Sequence, residues 1–328
     1  MNKLKLGVLG VSGHFKTRIV LPLSQSDSTE LVAVASRNME KSEAVAKQWG
    51  IAKAYGTYED LLSDPEIEAV YIPLPNHMHL PWIKKCVDAG KHVICEKPLT
   101  LTADETKDLM AYMEGKDEKV MEAFMYRSHP KWQMVRELMS VSGIGQVKSI
   151  HTIFSYSNSD PKNIRNIKDF GGGALMDIGC YAISSARWIL DKEPERVMAL
   201  NTFSEAFATD TLSSAILDFG QARALFTVST DLYPAQEVKV YGTGGTLEVV
   251  IPFNDNYDVP GEVIVTTALG TRTLTFEPTN QYGAMFDAFA KAIKNDTPLP
   301  VSLSDSYYNM KIIDQLMQSG ETGQWMSL

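Results

Sequence analysis

The chain reads as an α/β protein: an N-terminal doubly wound parallel sheet of the Rossmann type, then an α+β domain on a large, mostly antiparallel open sheet. Three observations predict this. Short apolar runs alternate regularly with helical segments from Leu4 to Ala123, the rhythm that crossovers between parallel strands require. The first run leads straight into Gly10-Val11-Ser12-Gly13 and a mixed segment, the strand, glycine turn and helix of a dinucleotide-binding unit. From Gln146 the rhythm changes to successive strand-like runs parted by turn pairs such as Phe219-Gly220 and Gly244-Gly245, which favours antiparallel pairing.

With 328 residues, 44% hydrophobic and 22% charged, the chain is long enough for two cores of ordinary globular composition. The domains are placed at 1–124 and 125–328, with the C-terminal helix able to pack back on the first. A formal net charge of −9 argues against a nucleic-acid partner, although a local basic pocket for one phosphate stays open. Cys86, Cys95 and Cys180 are scattered and lack C-x-x-C spacing. They read as packing residues in a reducing cytoplasm rather than as a disulfide or zinc framework. Residues 1–11, interrupted by Gly7 and Gly10 and without a small-residue cleavage site, read as a first strand and not a signal peptide. No apolar run is long enough to span a bilayer, so the expectation is a soluble, cytoplasmic protein with no membrane partner.

In the first half, a strand at 4–9 and a helix at 16–26 flank the glycine turn. Gly10 fills the first position of G-x-G-x-x-G/A, Ser12 stands at the second and Phe15 at the third. Backbone N–H groups at the helix start can approach a pyrophosphate. Ser12 is small enough to allow that, whereas Phe15 demands a local adjustment. A second strand at 31–35 ends in Ser36-Arg37-Asn38, with Asn38 capping a helix at 39–49 and Gly50 beyond its end. An acid at this strand end would accept from both ribose hydroxyls. Ser36 and Arg37 instead offer donors and a cation suited to a 2′-phosphate, which favours NADP over NAD; the alternative is a solvated surface arginine. A short helix at 57–62 and a strand at 69–72 lead to Pro73-Leu74-Pro75-Asn76-His77-Met78-His79, then a helix at 80–89 closing at Gly90. His77 and His79 read as lining or capping a cofactor groove, since a metal site would need a third ligand nearby. The strand at 92–95 runs into Glu96-Lys97-Pro98. An ammonium at the carboxyl end of such a strand points at the ligand crevice; the alternative is a strand-to-turn junction whose charges face water. Thr102-Ala103-Asp104-Glu105 is a capping box opening a helix to about Met113, and a strand at 119–123 completes the sheet.

In the second half, strands are expected at 147–157, 196–204, 211–219, 222–231, 237–241, 246–251, 263–267 and 272–276, with closing helices at 282–294 and 304–318. So large a sheet needs its second face covered, and another subunit is a reasonable cover, giving a homodimer or homotetramer. One helix, 171–190, stands out. It carries Gly171-Gly172-Gly173, then Asp177 and Tyr181 one turn apart on the same face. A phenol hands a proton to a carbonyl, or takes one from an alcohol, if a nearby cation lowers its pKa from about 10. Lys97 is the candidate cation; alternatively Tyr181 packs and Asp177 caps or pairs at the surface.

Together these residues resemble the Gfo/Idh/MocA family of oxidoreductases over essentially the full chain. The carriers are the Gly10 turn, Pro75-Asn76 with His79, Glu96-Lys97-Pro98, Glu122-Ala123-Phe124-Met125-Tyr126-Arg127 and the segment from Gly171 to Tyr181. The resemblance implies a Rossmann domain, a C-terminal domain whose open sheet serves oligomerisation, and hydride transfer between NAD(P) and a sugar, polyol or related cyclic alcohol or ketone. Many members carry histidine four residues after the aspartate, where this chain has Tyr181. That looks like the branch of glucose-fructose oxidoreductase, 1,5-anhydro-D-fructose reductase, D-xylose dehydrogenase and dimeric dihydrodiol dehydrogenase, in which a Lys and Tyr pair handles the proton. The likeness further implies a cis Lys97-Pro98 bond and catalysis by Lys97, Tyr181 and Asp177. Cofactor contacts are implied from Gly10, Ser12, Gly13, His14, Phe15, Ser36, Arg37, Pro73, Leu74, Asn76, His79, Glu96, Lys97 and Arg127. Substrate contacts are implied from Lys97, Tyr156, Arg165, Asp177 and Tyr181, in a cleft between the domains, with no metal. The rival readings are a catalytically silent NAD(P)-binding regulator of the same fold and a hydrolase that uses NAD transiently.

Overall fold

A computed structural model of the chain describes residues 3–140 and 143–328. It separates into two compact units, Met1–Ser128 with Asn280–Ser306, and His129–Thr279 with Tyr307–Leu328. Among the described residues no helix is long and apolar enough to cross a membrane.

The first unit is built on β1 (Leu4–Leu9), β2 (Thr29–Ala35), β3 (Lys53–Tyr55), β4 (Ala69–Ile72), β5 (His92–Cys95) and β6 (Val120–Glu122), all parallel, in the order β3-β2-β1-β4-β5-β6. The predicted Rossmann sheet is therefore present. The strands read as continuous apolar runs because helices cover both faces: Leu6, Val8, Val34, Val70, Ile72 and Val93 are fully buried. The chain winds from β1 outward to β3, then crosses back to β4 on the other side of β1. At that reversal the loops on either side diverge and leave a crevice at the carboxyl ends. The register pairs Leu9 with Ala35, Ile72 with Cys95 and Cys95 with Glu122, so Gly10, Ser36, Pro73, Glu96 and Ala123 follow one edge.

Local capping chemistry sets the helix starts. Asn38 Oδ1 accepts from Lys41 N at 3.1 Å, and Gly50 closes the helix Met39–Trp49 at φ +68°. Thr102 accepts from Glu105 N, while the Glu105 carboxylate reaches back to Leu101 N at 2.8 Å, one residue earlier than the standard box would place it. The short edge strand β3 was not expected, since Lys53-Ala54-Tyr55 has no apolar run.

The second unit carries β7 (Val147–Ser157), β8 (Arg196–Phe203), β9 (Asp210–Asp218), β10 (Arg223–Ser229), β11 (Asp231–Gly242), β12 (Gly245–Val250), β13 (Gly261–Thr267), β14 (Gly270–Phe276) and β15 (Met326–Ser327), ordered β14-β13-β12-β11-β7-β10-β9-β8-β15. The expected antiparallel pattern holds except that β10 lies parallel to β7. Two hairpin reversals return the chain to the central strand in its own direction. One face of β7 is buried through Ile150, Thr152 and Phe154; the other exposes His151 and Ile153. A helix, Pro130–Ser140, was not expected: proline at its first turn is the signal that was passed over.

Glu122 closes β6 and is buried, with Oε1 accepting from Leu99 N at 3.0 Å. Burial, with help from Asp305 and against Ser306 and Arg127, pushes its carboxyl up to about 7. A folded-state value above the unfolded one means the stabilising protonated form is fully present below about pH 4.5 and lost as pH rises through about 7. Thermal unfolding at a series of pH values should therefore show Glu122→Gln flattening the decline across that window, by up to about 3 kcal/mol. Parallel curves for the two proteins would contradict the assignment.

Candidate functional site

At the end of β1 the chain turns at Gly10, whose φ of +98° suits glycine alone; a Cβ there would also lie 2.9 Å from Leu74 Cδ2. Its N–H donates to Ala35 O at 2.8 Å. Ser12 Oγ accepts from Phe15 N at 3.1 Å, so serine at the second position of the motif caps the helix that follows. The adjustment demanded by Phe15 is a π turn, Phe15–Ile19, with the ring fully buried. A Cβ at Gly13 would meet nothing within 4 Å, which leaves this backbone open to close approach. At the end of β2, Ser36 Oγ accepts from Asn38 N at 3.3 Å and keeps its own proton to donate. Arg37 is exposed beside Tyr58, whose phenol burial raises and Arg37 pulls back. This strand end holds donors and a cation with no acid among Ser36, Arg37 and Asn38.

Glu96 is clamped. Its N–H donates to Ile72 O at 3.0 Å, Tyr71 OH donates to Oε1 at 2.5 Å, and His14 Nε2 lies 3.4 Å from the same oxygen. Burial alone would raise this carboxyl, but His14, Tyr71 and Lys97 outweigh it and hold it at about 2. Glu96 is thus ionised at any working pH, immediately before Lys97. The Lys97-Pro98 bond is cis. Fully buried His79 lies between two backbone carbonyls, Nδ1 at 2.9 Å from Pro98 O and Nε2 at 2.8 Å from Leu74 O. Burial lowers its pKa, with the two carbonyls opposing only in part, so the neutral ring donates to one of the two carbonyls and rests against the other. His79 therefore ties the turn after β4, with Pro73, Leu74 and Asn76, to the turn after β5. Arg127 is also buried, paired with Asp305 at 2.8 Å and over the Phe124 ring. Burial disfavours its charge, but Tyr126 and Asp305 raise its pKa further.

In the second unit the segment expected as one helix, 171–190, instead opens in a turn, passes through a π turn, Leu175–Gly179, and becomes α-helical over Cys180–Leu190. Gly173 has φ +120°, and a Cβ there would lie 2.0 Å from Asp210 Oδ1. At Gly172 a Cβ would lie 2.4 Å from Arg165 O. Asp210 was missed by the sequence reading; from β9 its Oδ2 accepts from Leu175 N at 2.7 Å and anchors the turn. Burial raises the Asp210 carboxyl, against the Leu175 N–H and the Ser213 hydroxyl that donate to it. Asp177 Oδ2 accepts from Tyr156 OH at 2.6 Å and from Arg165 Nε at 3.0 Å. Burial and the neighbouring carboxylate push the Tyr156 phenol well up, so it stays a donor. Tyr181 lies in the first turn of the α-helical part and is buried, with its ring 5.8 Å from Phe154 and 5.2 Å from Phe253. Tyr156, Arg165 and Asp177 are thus brought together, with Tyr181 one turn on. Gly10 to Phe15, Ser36, Arg37 and Glu96-Lys97 gather at the strand ends of the other unit. Among the described residues, no group of three or more His, Cys, Asp or Glu side chains is arranged to hold a metal ion.

Residues 4–124 match the family model described as oxidoreductase family, NAD-binding Rossmann fold, and 132–248 match the GFO/IDH/MocA C-terminal domain. The chain is 39% identical to an NADP(+) D-xylose 1-dehydrogenase of Haloferax volcanii over 327 residues, 99% of this chain and 100% of that one. The chain belongs to the GFO/IDH/MocA family of oxidoreductases. It is also 31% identical over 242 residues to a trans-1,2-dihydrobenzene-1,2-diol dehydrogenase of Xenopus laevis, 73% of each chain. Among solved structures, a 3-ketoreductase of Actinomadura kijaniata in complex with NADP and TDP-benzene superposes with a TM-score of 0.90 at 26% identity, covering 97% of this chain and 98% of that one. The same ketoreductase has been solved with one tyrosine changed to phenylalanine and with one lysine changed to alanine or glutamate. The resemblance carried by Glu96-Lys97-Pro98 and the glycine-rich Asp177 segment is borne out at the level of family and branch.

In this family member, Gly173→Ala should lower stability by about 2 kcal/mol or more, because the added methyl meets both a left-handed backbone and Asp210. Gly13→Ala, with open space around it, should shift stability by less than about 0.5 kcal/mol. Thermal unfolding of both variants checks the contrast, and equal effects would contradict it.

Proposed function

We propose that this oxidoreductase uses NADP to interconvert an alcohol and a ketone or aldehyde on a sugar, polyol or related cyclic molecule. The observation that carries the reading is Lys97 at the crevice edge of the parallel sheet, next to a carboxylate held ionised by Tyr71 and His14. Lengthwise identity to an NADP(+) D-xylose dehydrogenase supports the substrate class. The residues fit the cofactor: the open backbone at Gly13 leaves room for a pyrophosphate, and Ser36 with Arg37 suits a 2′-phosphate. NADP, when bound, supplies or accepts the hydride.

The chain's own residues handle the proton. In oxidation Tyr181 takes the hydroxyl proton, and in reduction it gives that proton back to the carbonyl oxygen. Lys97 stabilises the phenolate or the developing alkoxide by its charge. Asp177, with Tyr156 and Arg165, orients the hydroxyls of the substrate. His79 and Arg127, whose polar groups have partners within the first unit, position the cofactor turns from behind. The first unit binds the nucleotide; the second holds substrate and mediates self-association. Its exposed sheet face carries Ile153, Leu200 and Leu225, an apolar surface suited to a second copy. A chain that sediments as a monomer would remove that part of the reading.

Two measurements on one assay, NADPH fluorescence over a panel of aldoses, ketoses and dihydrodiols, test the rest. Lys97→Met and Tyr181→Phe should each lower turnover by about 10²-fold or more while NADPH still binds; wild-type rates in either would remove that residue from the chemistry. Arg37→Ala should weaken NADPH binding by about tenfold and leave NADH nearly unaffected. Equal losses for both nucleotides would contradict the 2′-phosphate assignment.

A further inference from the structure

We infer that Lys131 is a positioning residue for Tyr181, acting through the segment 250–255 that presents Phe253 to the tyrosine ring. The inference rests on the reading of Tyr181 as proton carrier. Lys131 is fully buried, and its Nζ donates to Val250 O at 2.9 Å, to Ile251 O at 2.7 Å and to the Asp255 carboxylate. His129 Nε2 lies 3.2 Å from the same Asp255 oxygen. Because His129 Nδ1 accepts the Lys131 backbone N–H at 3.1 Å, the ring proton sits on Nε2 and points at Asp255. Gly261 makes room for this cluster: a Cβ there would lie 3.0 Å from His129 Cε1 and 3.3 Å from Lys131 Cδ.

The rest of the segment is held just as closely. Trp132 Nε1 donates to Pro252 O at 2.6 Å, and Gln236 Oε1 accepts from the backbone of Phe253 at 3.3 Å and of Asn254 at 3.0 Å. Each residue from Val250 to Asn254 thus has a backbone group fixed by a side chain of helix Pro130–Ser140 or β11, and Ile251 is held at φ +43°. The outcome is a buried Phe253 stacked on Phe154 at 5.3 Å and on Trp132 at 6.0 Å, with the Tyr181 ring 5.2 Å away. An ammonium in so dry a place is costly, and an apolar side chain would fill the same volume more cheaply. Burial lowers the Lys131 pKa and Asp255 opposes that. What the ammonium gives in return is geometry: it gathers two carbonyls and a carboxylate of one segment onto a single point.

The test uses the full chain labelled with ¹³C-tyrosine, the Tyr181 ring signal being identified by its loss in Tyr181→Phe. Two variants loosen the segment: Lys131→Met with Asp255→Asn, which leaves neither charge buried alone, and Trp132→Phe, which keeps the packing but drops the bond to Pro252 O. In each, the Tyr181 signal should shift and broaden, and kcat should fall by about tenfold or more with NADPH affinity unchanged. A Tyr181 signal unmoved in the folded variants overturns the inference, as does an unchanged kcat when Tyr181→Phe itself is impaired. A moved signal combined with full activity in Tyr181→Phe would instead overturn the proton-carrier reading and show the segment's hold on the ring to be real.

Discussion

The clamp on Glu96 is the interaction on which the rest depends. A carboxylate at the end of a buried parallel strand would ordinarily take up a proton, because burial disfavours its charge. Here Tyr71 donates to it from the neighbouring strand and His14 approaches from the glycine turn after β1. The carboxyl is held at about 2, so a fixed negative charge stands beside Lys97. That arrangement ties three features of the first unit together: the glycine turn, the β4 strand and the Glu96-Lys97-Pro98 junction. His79 adds a second tie, its ring held between Leu74 O and Pro98 O with a hydrogen bond to one of them. The strand ends are therefore cross-braced on the side where ligands meet a doubly wound sheet.

The second unit solves a different problem by similar means. Asp177 and Tyr181 stand on a helix start that approaches other backbone closely. Glycines at 172 and 173 permit that approach, Asp210 caps the result, and Asp177 is then engaged by Tyr156 and Arg165. Each unit carries a π turn beside its glycine turn, Phe15–Ile19 in one and Leu175–Gly179 in the other. Such turns recur where a helix must be widened locally to serve a site.

Much of this was legible in the sequence, and what was not has identifiable causes. The alternation of apolar runs and helices disclosed the parallel sheet because both of its faces are buried, which makes each strand conspicuous. Glu96-Lys97-Pro98 stood out since a charged pair stopped by proline breaks such a run. The clamp itself was invisible: Tyr71 lies mid-strand and looks like core. Asp210 and Phe253 were equally hidden, since the contacts that give them meaning come from residues distant along the chain. His79 and Arg127 were legible as special but not in kind, because a sequence shows that a histidine or arginine is present without showing that carbonyls or Asp305 already engage it.

The central proposal is that Lys97 and Tyr181 act on the same substrate oxygen. A crystal structure of the protein with NADP and a bound sugar or ketone tests it most directly. The account predicts one substrate oxygen within hydrogen-bonding distance of both Lys97 Nζ and Tyr181 OH, beside the nicotinamide. Two side chains that contact different parts of the ligand, or a ligand bound away from both, would contradict it.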